Sequence, residues 1–247
     1  MRHRLQRAIE WIGGHELTVL LALLTITGGS WAFLELVDEV QEGTTLAFDR
    51  AVIRALRAPG DPNVPIGPVW LAESARDVTS LGGYTVLMLI TGAVAGFLAL
   101  DRKRAAMWFV LGAASSGLML GILLKRIIDR PRPDVVPHLD HVISSSLPSG
   151  HSMMSAVVYL TLGSLLARIV TKRRLKFYFL TLALLITGIV GLSRVFLGVH
   201  YPTDVLAGWT AGLVWATTCW LIARTLQRRG QIESPLPLPP EPRSTGE

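Results

Sequence analysis

One cysteine, Cys219, is all the thiol this chain of 247 residues carries, so no disulfide can form within it. Cys219 also lies inside an apolar run, where a lone cysteine packs rather than reacts. Charge is scarce as well. Only 17% of residues are charged while 50% are hydrophobic, and the mean hydropathy is positive at +0.44. That balance excludes an ordinary soluble domain, whose apolar residues would be scattered at helical or strand periods. No internal repeat is present.

The apolar residues instead fall in six long runs, at 17–34, 82–100, 105–124, 153–170, 177–192 and 203–223. About 20 residues at about 1.5 Å rise cross the hydrocarbon core of a bilayer, and in lipid each backbone polar group must be satisfied within the segment. The runs therefore predict an all-α polytopic membrane protein with six transmembrane helices. The basic N-terminus followed by the first run resembles a signal peptide, but the run is too long and no small-residue cleavage site follows, so it reads as a retained span.

A formal net charge of +6 is compatible with nucleic-acid binding, but its distribution argues for membrane orientation instead. Arg2, Arg4 and Arg7, the stretch Asp101-Arg102-Lys103-Arg104, the stretch Lys172-Arg173-Arg174-Leu175-Lys176, and Arg224, Arg228 and Arg229 all fall on one side of a six-span layout. That side is expected to be cytoplasmic. Segments 35–81, 125–152 and 193–202 then lie on the periplasmic or extracellular side. The expected organisation is a cytoplasmic N-terminus over 1–16, a six-span domain over 17–226, and a proline-rich disordered cytoplasmic tail over 227–247.

Outside the spans, 44–58 fits a short amphipathic helix, either lying at the outer interface or forming a solvated surface helix. Phe48, Val52 and Leu56 line one face, with Arg50, Arg54 and Arg57 opposite, toward headgroups. Pro59, Pro62, Pro65 and Pro68 predict an irregular connection. The pairs Gly92/Gly96, Gly117/Gly121 and Gly208/Gly212 have the four-residue spacing that lets helices approach closely in lipid.

Polar residues at membrane depth are costly, so clusters at span ends are candidates for function. Three exist, all on the outer side. The first, from Lys125 to Pro133, closes the third run with Lys125, Arg126, Arg130 and Arg132. Snorkelling explains one or two such cations; a multiply charged anion explains four, because arginine grips phosphate oxygens in a fork and lysine adds a point charge. The second, Leu147-Pro148-Ser149-Gly150-His151-Ser152, opens the fourth run as either a plain helix start or an anion site made of backbone N–H groups. The third runs from Ser193 to Asp204. Its His200 and Asp204 stand four apart across a helix start, as either a structural pair or a reactive imidazole oriented by a carboxylate.

Taken together, these clusters read Lys125, six residues, Arg132-Pro133; then Pro148-Ser149-Gly150-His151; then Ser193-Arg194, five residues, His200, three residues, Asp204. That ordered pattern resembles the type 2 phosphatidic acid phosphatase superfamily, with no departure at any motif position. The superfamily includes lipid phosphate phosphatases, bacterial phosphatidylglycerophosphate and undecaprenyl-diphosphate phosphatases, glucose-6-phosphatase and the vanadium haloperoxidases. The motifs span 125–204, and the six-run layout extends the likeness to 17–223.

The resemblance implies a membrane hydrolase that removes a phosphate from a lipid, with no cofactor or metal and no nucleic-acid partner. It implies His200 as nucleophile forming a phosphohistidine, Asp204 orienting it, and His151 as general acid and then base. Lys125, Arg132, Ser149, Gly150 and Arg194 would bind the phosphate.

Other readings stay in view. His138 and His141, near Asp134 and Asp140, have a spacing that allows a metal, against a solvated loop. Ser149 or Ser193 could imitate a serine triad, although neither sits in a Gly-x-Ser-x-Gly elbow. A haloperoxidase, or a lipid-phosphate binding or transport protein without turnover, would share the anion pocket. Neither the particular lipid nor the oligomeric state is written in these residues.

Overall fold

The computed structural model describes residues 2–140 and 144–231, with side chains from residue 17 onward. His141 and the tail from residue 232 lie outside the described residues, and with them part of the metal reading and most of the expected disordered tail.

The chain is a helical bundle. Helix α1 (Arg2–Glu42) packs along α9 (Pro202–Arg228). The short α2 (Leu46–Ala55) is followed by strands β1 (Arg57–Ala58) and β2 (Asp61–Pro65), then by α3 (Val69–Ser80), α4 (Tyr84–Leu100) and α5 (Arg104–Ile128). After a long connection come α6 (Gly150–Ser155), a π-helical turn (Ala156–Leu160) and α7 (Thr161–Ile169), which together form one rod, and then α8 (Arg173–Phe196). Five segments are long and apolar enough to cross a membrane: Leu17–Glu42, α5, Gly150–Ile169, α8 and α9. Helix α4 has 17 residues and qualifies only together with α3, across a 44° bend, as a sixth span.

The surface agrees with a bilayer. Trp31, Leu89, Leu100, Trp108, Phe177 and Leu185 are each more than half exposed along these helices. So continuous an apolar coat is unstable in water and stable in lipid. The protein is a multi-pass membrane protein.

Three expectations outside the spans need correcting. The stretch after Ala58 is an antiparallel two-stranded ribbon rather than wholly irregular, turning at Pro59-Gly60 with Gly60 at φ +84°. A two-stranded edge tolerates Pro62 and Pro65, which have no N–H to donate. Helix α2 does form, but its inward face carries Asp49 and Ile53, both fully buried, while Phe48 is exposed. Arg57, expected at headgroups, is buried too, and its Nη1 donates to the carbonyls of Leu56 and Phe196. Apolar spacing alone had no means of ranking an aspartate above a phenylalanine for the interior.

The glycine pairs divide. A Cβ on Gly208 would sit 2.7 Å from the Ser149 carbonyl oxygen, and one on Gly212 2.6 Å from that of Met153, so α9 lies directly against α6. Gly117 and Gly121 likewise face Val157 and Met153. Gly92 and Gly96 face open space and pack against nothing, contrary to their spacing.

Candidate active site

Buried polar residues gather at one end of the bundle: Asp49, Arg130, Ser146, Ser149, Ser152, Arg194, His200, Thr203 and Asp204. They come from segments 35–81, 125–152 and 193–202, which the positive-inside argument put on one side, and from the first residues of α9.

Each motif reaches this end by a local device. Helix α5 stops at Asp129, in a left-handed conformation at φ +43°, and the chain turns so that Arg130 and Arg132 point inward. Ser149 caps α6: its Oγ accepts from the Ser152 N–H at 3.4 Å and from the Ser152 hydroxyl at 2.9 Å, and its own N–H donates to the Asp204 carbonyl at 2.9 Å. Helix α9 opens with Pro202 at its first position. Asp204 turns back to accept from the Tyr201 N–H at 2.9 Å, the reciprocal half of a capping box.

His200 is enclosed at 1% exposure. Its Nδ1 faces Asp204 Oδ2 at 3.4 Å, an ion-pair distance without hydrogen-bond alignment. Its Nε2 lies 3.2 Å from Arg132 Nη1. A guanidinium has no acceptor atom, so Nε2 carries the lone pair and the ring proton is on Nδ1, toward Asp204. Burial pushes the imidazole down to about 3, and Arg132 and Arg194 push the same way; Asp204 opposes them without overcoming them. The ring is therefore neutral at physiological pH, with its lone pair aimed where Arg132 would hold an anion.

Around that lone pair stand the other motif residues. Arg132 is fixed by the Val199 carbonyl at 2.7 Å and the Ser144 carbonyl at 2.6 Å. Burial, then Arg194, lowers its guanidinium to about 10, so it stays cationic at neutral pH. Lys125 donates to the Ser145 carbonyl and lies beside Gly150, where a Cβ would meet its Cε at 3.5 Å. Arg194, 1% exposed, donates to Asp140 Oδ2 at 2.6 Å and to Thr79 Oγ1 at 3.1 Å. His151 lies against Gly82 and Gly83 and within electrostatic reach of Arg194, Arg132 and Lys125. The eight predicted site residues thus lie together at this end of the bundle.

The four cations of the first motif have separate places. Lys125 lies beside Gly150 and Arg132 beside His200, Arg126 is exposed, and Arg130 is buried between two carboxylates. Four further residues were not legible as site residues. Asp49 binds Arg130, Thr79 and Asp140 hold Arg194, and the Tyr84 hydroxyl lies where a Cβ on Gly150 would meet it at 2.7 Å. Tyr84 also lines a cavity of about 200 Å³ running down between α4 and α5, walled by Leu87, Met88, Leu111, Leu118 and Met154.

In the loop Asp134 and His138 are exposed, as a solvated loop requires, while His138 Nε2 lies 2.7 Å from the Pro133 carbonyl oxygen and the Leu139 carbonyl accepts from Arg76 Nε at 3.1 Å. Among the described residues no three histidine, cysteine or acidic side chains converge on a common point. Asp140 is engaged by Arg194.

This geometry is a cationic pocket closed around a neutral, carboxylate-backed histidine, and comparison with known proteins gives it a family. The pattern of the PAP2 superfamily matches residues 105–228, which contain all three motifs. The chain belongs to the PAP2 superfamily. Phosphatidylglycerophosphatase B of Bacillus subtilis is 33% identical over 185 residues, covering 74% of this chain and 86% of that protein. Decaprenylphosphoryl-5-phosphoribose phosphatase of Mycobacterium tuberculosis is 32% identical over 146 residues, 58% of this chain and 75% of that one. Among solved structures, the transmembrane PAP2-type phosphatidylglycerolphosphate phosphatase of Bacillus subtilis superposes with a TM-score of 0.74 at 28% identity, over 83% of this chain and 98% of that one. As a PAP2 member, this protein is a membrane hydrolase of the lipid phosphatase class.

Proposed function

We propose that this protein hydrolyses the terminal phosphate of a membrane lipid, an isoprenoid diphosphate or a glycerophospholipid phosphate, through a phosphohistidine on His200. The observation that carries the reading is the neutral Nε2 of a buried imidazole, 3.2 Å from the guanidinium of Arg132. A nucleophile and an anion-binding group aimed at the same point are what in-line phosphoryl transfer requires.

The lone pair on Nε2 forms an N–P bond as the P–O bond to the leaving group breaks, an ester bond in a lipid monophosphate and an anhydride bond in a diphosphate. The electron pair of that bond leaves on the lipid oxygen, which takes a proton from His151. Lys125, Arg132, Arg194, Ser149 and the Gly150 backbone hold the remaining phosphate oxygens and their transition-state charge. Asp204 faces the imidazolium that results. His151 then removes a proton from water, the hydroxide oxygen bonds to phosphorus, and the N–P electron pair returns to Nε2. No cofactor is used, because the cations supply the charge that a metal would.

The cavity below Tyr84 supports a lipid substrate. Its walls are mainly apolar, it lies between helices α4 and α5, and it begins at Tyr84, whose hydroxyl lies beside Gly150. The cations of the opposite end, Arg102, Lys103, Arg104, Lys172, Arg173, Arg174 and Lys176, support a cytoplasmic assignment for that end. The site would then face the periplasm or the exterior of a cell membrane, with the N- and C-termini inside. Residues 1–16 and 227–247 flank the catalytic domain on that inner side.

The test is phosphate release by purified protein from a panel of lipid phosphates and diphosphates, beside His200→Ala. Turnover of at least one lipid by the wild type, reduced at least about a thousandfold in the variant, is expected. Equal turnover by the variant would remove His200 from the reaction.

A further inference from the structure

Asp49 stands far from the motifs in sequence but meets the chain beside two of them in space, at Arg130 and at Thr203. It is the one acidic residue of α2 and it is fully buried. A carboxylate loses several kcal/mol of hydration on such burial unless it is fully paired. Here it is. Oδ2 accepts from Arg130 Nη2 at 2.8 Å and from the Thr203 hydroxyl at 2.6 Å, and Oδ1 accepts from the Thr203 N–H at 3.2 Å.

Arg130 is shared. Its Nη1 donates to Asp204 Oδ1 at 2.6 Å and to Thr203 Oγ1 at 2.8 Å, and its guanidinium lies over the Tyr201 ring at 4.4 Å. Burial alone would lower this guanidinium, but Asp204 and Asp49 outweigh it and leave it raised, a fixed cation. Helix α2 is thereby tied to Tyr201, Thr203 and Asp204, the first turn of α9 and the residues directly after His200.

The charges decide what this arrangement does. Asp49 and Asp204 contribute two negative charges and Arg130 one positive, so the triad retains one net negative charge beside Nδ1 of His200. Phosphorylation of Nε2 turns the neutral ring into a cation, and that surplus is what neutralises it. With Asp204 and Arg130 alone the pair would be neutral, and the cation would form uncompensated in a buried site.

We propose that Asp49 and Arg130 are positioning residues of the phosphoryl-transfer reaction, setting the geometry and net charge of the Asp204–His200 pair from the helix that lies outside the membrane-spanning core. This rests on the reading of His200 as nucleophile.

The experiment compares wild type, Asp49→Asn, Arg130→Gln, the double variant and His200→Ala in detergent, with kcat expressed per folded molecule and inorganic phosphate as a competing ligand. Asp49→Asn keeps the side-chain shape and removes the charge. It is expected to lower kcat about ten- to a hundredfold with KM and the phosphate inhibition constant within about threefold, because Lys125, Arg132 and Arg194 do not touch Asp49. The double variant should be no more than about threefold worse than the poorer single variant, since both act through Asp204. If Asp49→Asn lowers the yield of folded protein, Arg130→Lys is measured in the same way; it keeps a buried cation but cannot fork between two carboxylates, and the same kcat loss is expected.

A kcat within twofold of wild type for Asp49→Asn, or for Arg130→Lys where that stands in, overturns the proposal, as does a loss confined to thermal stability. Activity that survives in His200→Ala would overturn the nucleophile reading instead, so the two failures are distinguishable.

Discussion

Arg132 Nη1 stands 3.2 Å from Nε2 of His200, and the same Nη1 donates to the Val199 carbonyl at 2.7 Å. The residue before the histidine thus holds the arginine that faces the histidine, and a guanidinium, having no acceptor, leaves the lone pair on Nε2. Exchange for lysine keeps the charge but loses the fork. Arg132→Lys is expected to lower kcat/KM about a hundred- to a thousandfold, most of it in kcat, as removal of one preorganised donor does elsewhere. Steady-state kinetics on a single lipid phosphate measures this, and a loss below tenfold would contradict it.

His200 is held below its ordinary range by burial, at about 3. The unfolded chain therefore takes up a proton at this residue near pH 6.5 while the folded chain does not. The stability contributed by the neutral ring is present above pH 6.5 and is lost as pH falls toward 3. The melting temperature of the wild type is expected to fall more steeply through that window than that of His200→Asn, as followed by thermal denaturation in detergent. Parallel slopes would mean that the buried ring titrates normally.

The cavity under Tyr84 is expected to seat a hydrocarbon chain. A side chain at Gly92, which lines it and has nothing within 4 Å of its Cβ position, would fill it without a clash. Gly92→Leu should raise KM for a long-chain lipid phosphate about tenfold, because each methylene kept out forfeits about 0.8 kcal/mol. It should leave a short water-soluble phosphate ester within about twofold. Equal effects on both substrates would separate the cavity from the substrate chain.

With the phosphate charge assigned to the cations, as proposed, turnover in excess chelator is expected to equal turnover without it. A phosphate-release assay with and without chelator decides this. Full loss that magnesium restores would contradict the assignment of charge stabilisation to Lys125, Arg132 and Arg194.

Most of the bundle was legible in the sequence because lipid imposes long uninterrupted apolar runs, and five of the six runs correspond to helices that qualify alone. The second did not, since Leu81-Gly82-Gly83 breaks it and α3, with Glu73, Arg76 and Asp77, carries too much charge to read as part of a span. The motif residues were legible because their types and spacings are tied to phosphate chemistry. Asp49, Thr79 and Tyr84 were not, because each acts through a contact with a residue far away in sequence. The Asp49–Arg130 pair spans 81 positions and the Thr79–Arg194 pair 115. Arg130 was visible as a cation, but only its two carboxylate partners separate it from Lys125 and Arg132.

The proposed bond between Nε2 of His200 and phosphorus is tested most directly by trapping it. Wild-type protein mixed with a lipid carrying a labelled terminal phosphate, quenched within milliseconds and digested, should yield label on the peptide containing His200. That label should be stable in alkali and lost in acid, as a phosphoramidate is, and absent from His200→Ala. Label that resists acid, lies on Ser149, or persists in the His200 variant would contradict the account.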